Sequence, residues 1–174
     1  MKKKILFINF GGLGDEILFL PTVLSVKKEF PDSEITLALE PRSRGISALT
    51  DVYDKFLYAD IKNKNKYTEL ISLLFKIWTK KFDIVISSGS NKLISLFLFF
   101  TFVKDKYGYY SGKLSELILT KAVKLNKNQY AAGMYHDLVR DITTYNTELP
   151  EIRVERKEIE PDTVLIHPDG KDIC

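Results

Sequence analysis

One carboxylate in this chain stands where a carboxylate can act on a ligand. Asp15 ends the stretch Phe10-Gly11-Gly12-Leu13-Gly14-Asp15, which directly follows the apolar run 5–8. An aspartate in the first turn of a helix meets the positive end of the macrodipole, which favours negative charge there. At the carboxyl end of a central strand it also lies at the edge where open α/β sheets bind ligands. The chemistry open to it is general-base catalysis, the removal of a proton from a hydroxyl as that oxygen attacks an electrophile. The plainer reading is that Asp15 only complements the helix dipole, and the residues by themselves do not separate the two. Glu16 reads as ordinary first-turn chemistry. Gly11, Gly12 and Gly14 are expected to adopt backbone conformations closed to larger residues and to let a ligand group approach closely.

Other side chains offer weaker chemistry. Gly12 and Gly14 match the first two glycines of the dinucleotide fingerprint, but Ile17 stands where the third belongs. Asp15 would also set a carboxylate against the pyrophosphate of such a ligand. Glu40 falls where a ribose-binding acid would, so a nucleotide-binding oxidoreductase domain stays open as the less favoured alternative. No Gly-Lys-Ser/Thr follows the turn, so it is not a P-loop. Arg42 and Arg44 are the residues best suited to an anionic acceptor, because guanidinium matches phosphate bidentately; the alternative is a solvated loop. Ser87-Ser88-Gly89-Ser90-Asn91 reads as a turn with a helix N-cap in preference to a ligand contact. Trp78 is expected to pack, and His136 to be structural.

Elements that could position these residues alternate along the chain. Residues 5–9 form the expected central strand, unbroken in its apolar run as a strand covered on both faces should be. A helix follows over 15–30, kinked or started at Pro21. Strands are expected at 34–39, weakly at 55–58, at 83–87 and at 105–107. Helices are expected at 46–51, at 67–80 with Leu70, Leu73, Leu74 and Ile77 inward, at 92–101, at 114–123 and at 129–145. The last turns Tyr135, Leu138, Val139 and Ile142 inward. Residues 62–66 read as a surface loop and 149–162 as a charged, proline-bounded linker. A new strand at 163–166 leads into a turn at His167 to Gly170. The pattern predicts a Rossmann-like α/β fold with a parallel sheet and helices on both faces.

Several of these stretches together resemble family nine glycosyltransferases, the lipopolysaccharide heptosyltransferases and their relatives. Phe10 to Asp15, then Leu20-Pro21 and Phe30-Pro31, look like that family's amino-terminal signature. Phe82 to Ile86, Lys106 to Tyr109 and Tyr135 to Arg140 resemble later motifs in the same order. The resemblance implies the amino-terminal domain of a GT-B glycosyltransferase, with residues 1–148 on the acceptor side, 149–162 as linker and 163–174 as the start of a donor-side domain. It implies an inverting reaction without cofactor or metal, with a nucleotide sugar, ADP-linked, as donor substrate. Asp15 matches the family's catalytic base. Gly11, Gly12, Gly14, Arg42 and Arg44 would then lie at the acceptor, a sugar or glycolipid of the cell surface. His167 and Gly170 would lie at the donor, although Asp169 stands where the family usually has glycine. The expectation extends to a shortened chain acting as the acceptor half only, with room for a separate donor-domain chain. A noncatalytic binding module that kept the fold is the alternative.

Composition narrows the setting. With 174 residues and 45% hydrophobic content, the chain has material for a proper core. A net charge of +3 is too small to argue for nucleic acid. Lysines cluster at 2–4 and at 62, 64 and 66, as solvated loops or as a contact with anionic lipid. Cys174 is the only cysteine, which suits a reducing cytoplasm, and His136 and His167 are too few for a zinc site. Residues 93–103 are strongly apolar but too short to span a bilayer, so they read as a buried helix or one touching a membrane interface. Localisation is therefore expected to be cytoplasmic, with room for peripheral contact with the inner membrane.

Overall fold

A computed structural model describes residues 2–62, 65–145 and 152–153. Six strands form one sheet: β1 (Lys4–Ile8), β2 (Glu34–Leu39), β3 (Lys55–Tyr58), β4 (Ile84–Ser87), β5 (Asp105–Tyr109) and β6 (Lys121–Val123). Their spatial order is β3-β2-β1-β4-β5-β6, and every pairing is parallel. This is the doubly wound, Rossmann-like order. β1 is central, with Ile5 beside Ile35 on one side and Ile84 on the other.

Strand alternation divides the core in two. Ile5 and Phe7 turn to one face, against Phe19, Leu20, Val23 and Val26 of α1 (Leu13–Glu29), Ile46 of α2 (Ile46–Leu49), and Leu138 and Val139. Leu6 and Ile8 turn to the other, against Leu70, Leu73 and Ile77 of α3 (Lys66–Lys80) and Ile94, Phe97 and Leu98 of α4 (Lys92–Phe100). Both faces of β1 are covered, as its unbroken apolar run demands. Pro21 does not divide α1, which continues as one helix to Glu29; proline costs one backbone bond there and no turn of helix.

Two expected helices are shorter than their periodicity suggested. α5 spans only Lys113–Ile118, and residues 121–123 are β6 instead. β5 would otherwise be a bare edge, and Tyr110 N–H donates to the Val123 carbonyl at 2.7 Å, so sheet pairing overrides the helical pattern. α6 spans Ala131–Asp137, after which the bonds tighten, with Leu138 N–H to Tyr135 O and Val139 N–H to His136 O. The inward set Tyr135, Leu138, Val139 and Ile142 nevertheless packs on α1 as expected. The expected strand at 163–166, the turn with His167 and Gly170, and all of the 149–162 linker but Ile152 and Arg153 lie outside the described residues.

Candidate active site

The strand order reverses between β1 and β4, and the turns after these two strands meet. Ser88 Oγ donates to Asn9 Oδ1 at 2.8 Å, and Gly11 N–H donates to the same oxygen at 3.2 Å. The glycine turn therefore hangs over the switch point, the place where doubly wound sheets open a crevice. α1 starts there, with Glu16 N–H donating to the Gly12 carbonyl at 3.1 Å.

Asp15 is exposed and held from two sides. Gly12 N–H donates to its Oδ2 at 2.7 Å, the reach-back half of a capping box. The Tyr135 hydroxyl donates to its Oδ1 at 3.3 Å, from a residue 120 positions later. The Tyr135 ring is itself fixed, tilted against Phe19 at 5.1 Å between centroids. Burial, then the Asp15 charge, push the Tyr135 phenol above its ordinary range, so it stays a hydrogen-bond donor at neutral pH. Sequence reasoning placed Tyr135 in the core and missed this contact.

The turn's glycines are not needed for unusual dihedrals. Gly12 has φ −82°, and Gly112 is the one glycine with positive φ among the described residues. What the turn requires is room at one position. A Cβ on Gly11 would lie 2.5 Å from Asp15 Oδ2 and nearer still to its Cβ, whereas one on Gly14 would meet nothing within 4 Å. The group that approaches closely is thus Asp15 itself. Gly11→Ala should cost about 1–3 kcal/mol of stability and displace Asp15. Gly14→Ala should be neutral or stabilising by up to about 1 kcal/mol. Thermal melts of the two variants check this, and equal effects would contradict it.

Under the turn lies a pocket of buried polar groups that the sequence did not announce. Glu16 is fully buried, not solvated as a first-turn acid would be. Its carboxyl is pushed up to about 8, first by burial and then by the charges of Asp15 and Glu40, with Asn9 opposing the rise. Asn9 Nδ2 and both Glu16 oxygens lack a well-formed hydrogen bond, so Asn9 acts through proximity rather than a made bond. Glu40, 2% exposed, pairs through Oε2 with Arg42 Nε at 2.6 Å and leaves Oε1 buried without a partner. Tyr53 is buried beside them, its phenol raised by burial and by Glu16. Protonated at neutral pH, Glu16 leaves Asp15 as the one negative charge that the turn presents.

The loop after β2 is pinned to the same edge. Ser43 Oγ donates to the Gly11 carbonyl at 2.9 Å, which brings Arg42 and Arg44 to the glycine turn. Arg42 is half committed to Glu40, while Arg44 is exposed and makes no ion pair among the described residues. Glu40 is buried and paired, which does not suit an acid that binds ribose. Gly12 N–H is already taken by Asp15, so the turn has lost a donor that a pyrophosphate would need.

After β4, Asn91 Oδ1 accepts from Ile94 N–H at 2.9 Å, the expected N-cap of α4. A cleft of about 230 Å³ opens at this edge, lined by Lys92, Ser95, Ser111 and Lys113 among others. A larger one of about 480 Å³, beside Lys27 and Asp32, lies at the opposite edge and touches none of the residues at the turn. His136 is half-buried with Nδ1 unpartnered among the described residues, and its imidazole is lowered chiefly by burial. Among the described residues no group of His, Cys, Asp and Glu could hold a metal ion.

No protein-family model matches the sequence, and no curated protein matches it. Solved structures do. The glycosyl transferase family 9 protein of Veillonella parvula superposes with a TM-score of 0.76 at 25% identity, over 91% of this chain and 47% of that one. The Escherichia coli ADP-heptose LPS heptosyltransferase II gives 0.69 at 16% identity, over 89% and 47%. The E. coli heptosyltransferase WaaC with ADP-2-deoxy-2-fluoro heptose gives 0.64 at 13%, over 86% and 50%. The last two identities speak for the fold alone. The structural neighbours of this chain therefore include a family 9 glycosyl transferase and heptosyltransferases of GT-B type, whose Rossmann-like fold it shares over most of its own length and about half of theirs, and a UDP-N-acetylglucosamine 2-epimerase shares the fold as well.

Proposed function

We propose that this chain is the acceptor half of an inverting glycosyltransferase that moves a sugar from an ADP-linked donor to a cell-surface sugar or glycolipid. The observation that carries the reading is Asp15: exposed at the switch point of this fold, with one oxygen on Gly12 N–H and the other on the Tyr135 hydroxyl. Asp15 takes the proton of an acceptor hydroxyl as that oxygen attacks the anomeric carbon. The bond from that carbon to the diphosphate breaks on the opposite side, and the anomeric centre inverts. A carboxylate is a far weaker base than an alkoxide, so proton transfer accompanies attack.

Arg44 makes no ion pair among the described residues, and Lys92 and Lys113 line the cleft after β4 on the same carboxyl edge of the sheet. These charges suit a phosphorylated acceptor. In this reading residues 1–148 are the acceptor-side domain, 149–162 the linker and 163–174 the entry to a donor-side domain, where His167 and Gly170 would meet the nucleotide. The other reading is a noncatalytic binding or interaction module that kept the fold, in which Asp15 only caps α1 through its bond from Gly12 N–H. Isothermal titration of the 174-residue chain tests the division of labour. A phosphorylated sugar acceptor should bind, and Arg44→Ala should weaken it about tenfold, near 1.4 kcal/mol. ADP-heptose should bind more weakly than about 1 mM. Micromolar binding of ADP-heptose would contradict the assignment of this half to the acceptor.

A further inference from the structure

The outer faces of α3 and α4 carry apolar side chains that are exposed among the described residues. Ile71, Phe75 and Trp78 run along α3 at helical spacing and are 53%, 58% and 38% exposed. Leu96, Phe99 and Phe100 do the same on α4, and Phe102 just beyond it is 70% exposed. Their rings make two groups, joined where Trp78 bonds the backbone of Phe100. Phe75 meets Trp78 edge-on at 5.1 Å, Trp78 stacks on Phe102 at 5.9 Å, and Phe99 meets Phe100 at 5.3 Å. Trp78 Nε1 donates to the Phe100 carbonyl at 2.8 Å, so the indole's polar end is satisfied and its ring is held at the surface. Phe102 has φ +54°, a conformation that costs a bulky residue energy. The fold holds an aromatic ring outward at that cost.

The inward face of α3 is already apolar, through Leu70, Leu73 and Ile77. The outward apolar stripe is therefore additional to what the core needs, and a connected patch of this kind marks a contact site.

Lysines outnumber acids around the patch. Lys76, Lys81 and Lys104 are exposed at its margin, with Lys80 beside them. The acids nearest in sequence are fewer: Asp83 accepts from Lys4 N–H, Glu69 accepts from Asp60 N–H, and Asp105, half-buried beside Lys104, is the third. A second copy docked through the same face would set lysine against lysine. The described end of this chain lies on the other side of the sheet, where Arg153 N–H donates to the Leu49 carbonyl and its guanidinium pairs with Asp51. No helix among the described residues is long and apolar enough to cross a membrane.

We propose that the α3–α4 face is a docking surface for an anionic lipid bilayer, with the rings of Phe75, Trp78, Phe99 and Phe102 entering the headgroup boundary and the lysines meeting lipid phosphate. Aromatic rings with a polar end favour that boundary, and each lysine near an anionic leaflet adds attraction. Of these two helices only Lys92, at the start of α4, is offered to the acceptor, and none of the patch side chains is, so the surface is tested apart from the catalytic reading.

Trp78 is the chain's single tryptophan and sits inside the patch, so its fluorescence reports the contact directly. Mixed phosphatidylglycerol–phosphatidylcholine vesicles should shift its emission to the blue, and lipids brominated near the headgroup should quench it. Phosphatidylcholine alone should bind about tenfold more weakly or worse, and added salt should weaken the anionic case. Phe75→Ser with Phe102→Ser should lower partitioning by about tenfold or more. Phe102→Gly removes one ring and relieves the left-handed backbone, so it should melt no lower than the parent and still bind less well. Lys76→Glu with Lys104→Glu should abolish the preference for anionic vesicles. An unmoved Trp78 emission with anionic vesicles would overturn the proposal. So would equal binding to neutral vesicles, or a blue shift that follows protein concentration without lipid, which would assign the face to a second copy.

Discussion

Glu16→Gln should turn a pH-sensitive protein into an insensitive one across the neutral range. Glu16 is fully buried and its carboxyl is raised from 4.5 to about 8 by burial, then by Asp15 and Glu40, with Asn9 opposing. A raised folded-state value means that the folded protein holds the proton more tightly than the unfolded chain. The stability this contributes is complete below about 4.5 and is lost as pH rises through about 8. The parent should therefore lose on the order of 2 kcal/mol between pH 6 and pH 8 from this group. Glutamine keeps the neutral shape of the protonated acid and has no proton to lose. Thermal melts at intervals from pH 5 to pH 9 should show the parent's melting temperature falling relative to the variant's, the two curves lying together at low pH and separating as pH rises through about 8. Parallel curves would mean that Glu16 titrates in the ordinary range and that its burial is relieved in solution.

Asp15→Asn should abolish most sugar transfer while leaving the fold in place. Asparagine retains an oxygen that can accept from Gly12 N–H, the 2.7 Å bond that fixes the start of α1. What it loses is a lone pair basic enough to take a proton. General-base removal costs about 10²–10⁴ in rate, whereas loss of a charge from a helix start costs about 0.3–1 kcal/mol of stability. Affinity for the acceptor should change far less than turnover, because a base acts mainly in the transition state. The same substitution removes one of the charges that raise Glu16. The pH dependence of stability should therefore shift to lower pH in Asp15→Asn, a link between the two residues that a purely structural Asp15 shares but a remote one does not.

The layers of the fold were legible because burial writes itself into the strands. Ile5 to Ile8 is apolar at every position, which only a strand covered on both faces explains, and β1 is that strand. β6 was not legible: Lys-Ala-Val is too short for a period, and only the need to cover β5 makes it a strand. At the candidate site, the position of Asp15 beyond the carboxyl end of β1 was legible because a strand, a glycine turn and an acid follow one another in sequence. The glycines themselves were misread, since Gly11 makes room for Asp15 and none of the three takes a left-handed conformation. Glu16 was misread as well. Acids in a first helical turn are ordinarily solvated, and nothing local reveals that Glu40 and Tyr53 close over this one. Tyr135 lay beyond reach for a different reason: its partner is 120 residues earlier, and only the packing of α6 on α1 brings them together.

The central claim is that Asp15 is the base of a sugar transfer, and a single-turnover measurement meets it most directly. With the donor half supplied, the parent and Asp15→Asn are mixed with ADP-heptose and a phosphorylated sugar acceptor, and glycosylated product is followed by mass spectrometry. The account predicts product from the parent with release of ADP. From Asp15→Asn it predicts a rate lower by about 10² or more, at unchanged acceptor affinity and a melting temperature close to the parent's. An undiminished rate from Asp15→Asn, above all with a lowered melting temperature, would contradict it and leave Asp15 a partner of the helix dipole.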